Sequence, residues 1–189
     1  MKNVAMTFCI IVVIVFIWVW HHQIQFNDHS RQALFHMKND KLDDAIEAYA
    51  QAITHKKYTI FFSNEPSVYN NLGQAYLRKG EYEPAITAFK KTIEMKPDAV
   101  QAYVNLATVF LKQNRLDLAI ASCQDAIRIA PNSGLAHYNL ACVYALMGEE
   151  KPAIESLKRA LDLSTEIRTF AQEESAFDNL RTHPLFPSQ

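Results

Sequence analysis

The feature that most constrains the fold is a pattern written three times at a spacing of 34 residues. Tyr69-x-x-Leu72-Gly73-x-x-Tyr76 is followed by Ala85-x-x-x-Phe89 and Pro97. The second copy reads Tyr103-x-x-Leu106-Ala107-x-x-Phe110, Ala119-x-x-x-Cys123, Pro131, and the third His137-x-x-Leu140-Ala141-x-x-Tyr144, Ala153-x-x-x-Leu157. A period of this length specifies one helical hairpin per copy, and stacked neighbours share a core that no hairpin builds alone. Aligning Ala45 with Ala85, Ala119 and Ala153 adds a degenerate earlier copy that starts at Phe26. It keeps Ala33, Leu42, Ile46, Tyr49, Ala52 and Ile53 in register and departs at Gln32 and His36.

Each recurring position has a physical reason. Ala33, Gly73, Ala107 and Ala141 on the first helices, with Ala45, Ala85, Ala119 and Ala153 on the second, are small enough to let antiparallel helices approach closely. Ile46, Ile86, Ile120 and Ile154, then Ile53, Ile93, Ile127 and Leu161, form an aliphatic stripe at helical spacing. Asp40, Gly80, Asn114 and Gly148 sit between the helices, and all three residue types tolerate the left-handed conformation that ends a helix. Pro84 and Pro152 fall near the start of second helices, where a missing N–H costs little. These signals agree on an all-α solenoid.

The motif resembles the tetratricopeptide repeat (TPR) family over roughly residues 26–165. The resemblance implies helix–turn–helix repeats that bind protein or peptide partners, with a concave groove lined by the first helices. The family's groove positions place Asn71, Asn105 and Asn139 at one register, flanked by Asn70, Gln74, Gln101 and Tyr138. Such an amide ladder can donate to and accept from the main chain of an extended peptide; the alternative is that asparagine there is simply a common repeat choice. Arg78 and Lys112, with Lys38, make one rim basic, and these cations are equally explained by favourable charge at a helix C-terminus. The resemblance does not extend to a chaperone-receptor carboxylate clamp. The matching positions carry Asn70, Gln74, Asn105, Leu135 and Asn139, which supply no cation.

Ahead of the repeats, Val4–Trp20 is an unbroken apolar run of 17 residues, about 26 Å as a helix, which just spans a hydrocarbon layer. Trp18, Trp20, His21 and His22 suit the interface where such a helix leaves the bilayer. A cleaved signal would end in small residues, whereas this run ends Trp-Val-Trp-His-His, so an uncleaved single-pass signal-anchor is expected. Arg31 and Lys38 fall inside a folded repeat, which leaves Lys2 and the α-amino group to favour a cytoplasmic N-terminus and repeats on the non-cytoplasmic side.

The remaining composition excludes more than it suggests. A formal charge of −1 and the lack of a basic stripe argue against nucleic acid. No phosphate loop, nucleophile elbow or zinc-protease motif occurs, so no catalytic residue, metal site or cofactor is expected. His29, His36 and His137 stand where other copies place aromatic residues, which makes them packing residues. Cys9, Cys123 and Cys142 lack metal-ligand spacing; Cys123 takes a core position, and a Cys123–Cys142 disulfide stays open if the domain is exported.

The expected organisation is therefore a flank (1–3), a transmembrane segment (4–20), a linker (21–25) and a degenerate repeat (26–59). An insertion (60–65), three repeats (66–99, 100–133, 134–165) and a C-terminal cap and tail (166–189) follow. Ile60 and Phe62, in the apolar stretch 56–63, either tuck onto the stack or form an exposed patch. In the cap, Ile167, Phe170, Phe177 and Leu180 recur at helical spacing, Ser175-x-x-Asp178 resembles a capping box, and Leu185 and Phe186 serve as fold-back anchors. Two functions fit this organisation: a membrane-tethered scaffold that binds an extended segment during assembly of a membrane complex, or a self-associating homo-oligomeric module.

Overall fold

The computed structural model of the protein describes residues 2–56, 65–181 and 186, and forms two compact units, Met1–Thr92 and Ile93–Gln189. The insertion at 60–65 and Leu185 lie outside the described residues, apart from the backbone of Glu65.

In the first unit, α1 (Lys2–Lys38) is a single helix of 37 residues, about 55 Å long. The stretch 21–25, expected as a linker, is helical and joins the apolar run to the first repeat without a break. The cause is composition: neither glycine nor proline occurs in residues 2–38 to break the backbone ladder. α2 (Leu42–Lys56) packs back on α1, and α3 (Glu65–Lys79) packs on α2. Phe26, Ala33, Ala45, Ala48, Tyr49, Ala52, Val68, Leu72 and Ala88 build the core. α4 (Tyr82–Met95) follows, with Phe89 fully buried.

In the second unit, α5 (Val100–Lys112) pairs with α6 (Leu116–Ile129), and α7 (Gly134–Leu146) with α8 (Glu150–Leu163). α9 (Ile167–Glu173) and a 3-10 turn (Ser175–Leu180) cover the open side of α7 and α8. Ile167, Phe177 and Leu180 are buried as expected of a cap, and Phe186 returns to within 6.3 Å of the Phe177 ring. Phe170 departs from the expectation at 51% exposed. The capping box also shifts by one residue. Glu174 rather than Ser175 accepts from the Ala176 N–H (3.3 Å), and Asp178 pairs with Arg181 at 3.0 Å. Ser175 is already the first residue of the turn, and the extended backbone of Glu174 puts its carboxylate at the free N–H groups.

The four inter-helix residues close their helices in the same way. Asp40, Gly80, Asn114 and Gly148 have φ of 57°, 82°, 56° and 77°. The N–H of the next residue reaches back five positions each time: Lys41 to His36 O, Glu81 to Tyr76 O, Arg115 to Phe110 O and Glu149 to Tyr144 O, at 2.8–3.0 Å. Carbonyls that would be orphaned at the helix end are thereby satisfied.

Close approach is tightest at Gly73. A Cβ there would lie 2.6–2.9 Å from the Phe89 ring, which is fully buried and has nowhere to swing. The third clear copy instead pairs Ala141 with Leu157 in one core cluster. Gly73→Ala is expected to lower the unfolding free energy by about 1–3 kcal/mol through overpacking. Adding Phe89→Leu should return part of the loss in a double-mutant cycle read by urea denaturation in detergent. Equal stability of Gly73→Ala and the parent would contradict the packing account.

Candidate functional site

The residues expected at the groove register lie on the first helices, and each unit is built differently. In the second unit Asn139 is 8% exposed, and its Nδ2 donates to Val104 O (3.1 Å) and to Thr108 Oγ1 (3.0 Å). Thr108 Oγ1 donates in turn to Val104 O at 3.1 Å. Both amide protons of Asn139 thus tie α7 to α5. Asn105 is equally buried, and its Oδ1 accepts from Gln101 Nε2 at 3.1 Å. Gln101 is exposed and, three turns along the same helix, Lys112 is exposed as well. The solvent-facing polar groups of this register are therefore Gln101 and Lys112, with Asn105 behind the glutamine.

Tyr138 is covered by the cap. Its ring meets Phe177 edge-on (6.0 Å) and Phe170 at a tilt (6.5 Å), and its hydroxyl donates to Phe170 O (3.4 Å) and Glu174 Oε2 (3.5 Å). Burial, and after it the neighbouring Cys142 and Glu174, push the Tyr138 phenol far up, so it remains a neutral donor. Cys123 and Cys142 are buried free thiols, each pushed up to about 12, chiefly by burial. Such thiols are inert rather than nucleophilic.

In the first unit Asn70, Asn71 and Gln74 are half-buried along α3. Burial pushes the Tyr49 phenol up to about 12 while the Asn71 amide acts against that shift; the Tyr49 hydroxyl makes no hydrogen bond of regular geometry. Arg78 does not stand free on a basic rim. Its Nη1 donates to Met37 O (3.1 Å) and its Nη2 to Asp40 Oδ1 (2.6 Å), closing the end of α1. Of the two readings of these cations, Arg78 follows the helix-terminus one, acting on the preceding first helix. The sequence carried no cue that Tyr138 would dock the cap beyond the aromatic residues Phe170 and Phe177 themselves.

Residues 30–91 and 70–134 match one family model, and residues 135–166 a second, both described as tetratricopeptide repeat. No curated protein sequence matches significantly. Among solved structures, the chain is similar to TTC0263, a thermophilic TPR protein in Thermus thermophilus (TM-score 0.69, 23% identity, covering 82% of this chain and 83% of that one). It is also similar to a MamA fragment from Desulfovibrio magneticus RS-1 (0.66, 22%, 79% and 81%). A third, YrrB, is described as a TPR protein with an unusual peptide-binding site (0.63, 15%, 77% and 73%). At these identities the likeness is one of fold.

Asn139 generates a direct test of the stack. Asn139→Ala removes two buried donors and is expected to cost about 1–3 kcal/mol. Asn139→Asp should cost more at pH 7, because it sets a carboxylate against Val104 O, and the difference should shrink at pH 4 as the carboxyl gains a proton. Urea denaturation at both pH values checks this; an aspartate variant as stable as the parent at pH 7 would contradict it.

Proposed function

Because the chain belongs to the tetratricopeptide repeat family of protein-interaction scaffolds, we propose that it is a membrane-tethered scaffold that holds an extended segment of a partner protein. The observation that carries the tether is α1. Ile10 through Ile17 each expose more than half their surface, and the same unbroken helix continues into the first repeat. Eight consecutive aliphatic and aromatic side chains left in water are unfavourable by several kcal/mol, and a hydrocarbon layer removes that cost. Trp18 and Trp20 then mark the interface, and the repeats lie on the non-cytoplasmic side.

Partner binding is supported by the polar register of the first helices. In the second unit the available contacts are Gln101 and Lys112, with Asn105 orienting the glutamine; in the first they are Asn70, Asn71 and Gln74. A glutamine side chain held by Asn105 keeps its carbonyl oxygen and one N–H for a peptide backbone, and Lys112 adds preference for acidic or C-terminal segments. The partner's process is assembly of a membrane complex. The self-associating alternative has one observation in its favour: Leu34 (46%) and Phe35 (62%) are exposed on α1 well beyond the apolar run.

A photo-crosslinker at Gln101, with a control at the exposed Ala121 on α6, is expected to capture a non-cytoplasmic partner from position 101 alone. Gln101→Ala combined with Lys112→Glu should reduce its recovery at least tenfold without lowering the melting temperature. Unchanged recovery would overturn the groove reading. Capture of the protein itself, together with a dimer by sedimentation of the full chain in detergent, would support self-association instead.

A further inference from the structure

The chain carries seven histidines, and the fold gathers four of them at one end of the first hairpin. His21, His22 and His29 lie on α1 and His55 in the last turn of α2. Nδ1 of His22 and Nδ1 of His55 are 3.0 Å apart, a hydrogen bond in which one ring donates and the other accepts. The His29 ring stacks on His55 with centroids 5.4 Å apart and planes 15° from parallel, and its Nδ1 is buried without a hydrogen-bond partner. His21 approaches His22 edge-on at 5.7 Å.

We propose that this cluster is a pH-sensitive latch, holding the end of α2 against α1 at neutral pH and releasing it in mild acid.

The geometry gives the direction. An Nδ1–H···Nδ1 bond needs at least one neutral ring, because an imidazolium presents donors on both nitrogens. A second proton turns the bond into a donor-to-donor repulsion, and His29 stacked above adds a like charge. The described carboxylates of these two helices have other partners. On α1 the nearby carboxylate, Asp28, faces Arg31 (3.9 Å), and on α2 Glu47 accepts from Gln51 (3.1 Å). From α3, Val68 and Leu72 join the core shared with α2. The His29 and His55 rings stack face to face, so these two do not aim their lone pairs at one point.

Burial, then His29, His22 and His21, hold the His55 pKa below its ordinary 6.5. The released state therefore binds more protons than the latched one. The latch's contribution is whole above about pH 6.5 and is lost as the pH falls through the lowered value. The latch depends on neither the tether nor the partner.

Hydrogen exchange of the 51–55 amides in the full chain in nonionic detergent, corrected for the intrinsic pH dependence of exchange, tests it. Protection should fall at least tenfold between pH 7.5 and 5.5. His55→Gln keeps a hydrogen-bonding group that does not titrate and should abolish the pH step. His29→Phe keeps a stacked ring without its charge and should shrink it. Equal protection of the parent at both pH values, or an undiminished step in His55→Gln, would overturn the latch.

Discussion

The first unit depends on an uninterrupted backbone ladder. A helix leaves its last carbonyls without intrahelical partners, and it stops where a side chain or turn takes them over. In α1 that point is not the end of the apolar run but Lys38, where Asp40 turns left-handed and Arg78 reaches Met37 O. The apolar segment and the first helix of the first repeat are one rod. The first hairpin therefore inherits its direction from that segment, and α2 ends beside the residues that follow Trp20.

Beyond that rod, the same closure is used after each first helix, and its chemistry could be read directly. Asp40, Gly80, Asn114 and Gly148 share only one property, tolerance of positive φ, and all four adopt it. The small positions were legible for a similar reason: Ala33, Ala107 and Ala141 are fully buried, and Gly73 is set directly against a phenylalanine ring. Periodicity reports what every copy must do. Local spacing says less about where a helix continues past its pattern, which is why residues 21–25 read as a linker and fold as helix.

The candidate site was legible as a register and not as a set of roles. The resemblance to the repeat family put Asn105 and Asn139 at one register of the groove face. It could not say that Asn139 would turn its two donors inward to Val104 and Thr108, because that choice depends on a helix about one repeat away. Tyr138 and Arg78 were diverted in the same manner, one by the cap and one by the end of α1. Polar residues at a helix–helix seam are used for structure first, since an unpaired buried donor costs more than a lost surface contact. What remains for a partner is what the seam leaves available, Gln101 and Lys112 in the second unit. The histidine cluster was invisible for the complementary reason: His29 read as an aromatic substitute and His21 and His22 as interfacial residues, and only the antiparallel return of α2 brings His55 onto His22 and His29.

The central claim is that the apolar segment and the first repeat share one helix. Amide hydrogen exchange across residues 19–28 of the full chain in lipid nanodiscs at pH 7.5 tests it most directly. The account predicts continuous protection from Trp20 through Phe26 and on into the repeat. Fast exchange confined to 21–25 would contradict it and restore a flexible joint between the apolar segment and the repeats.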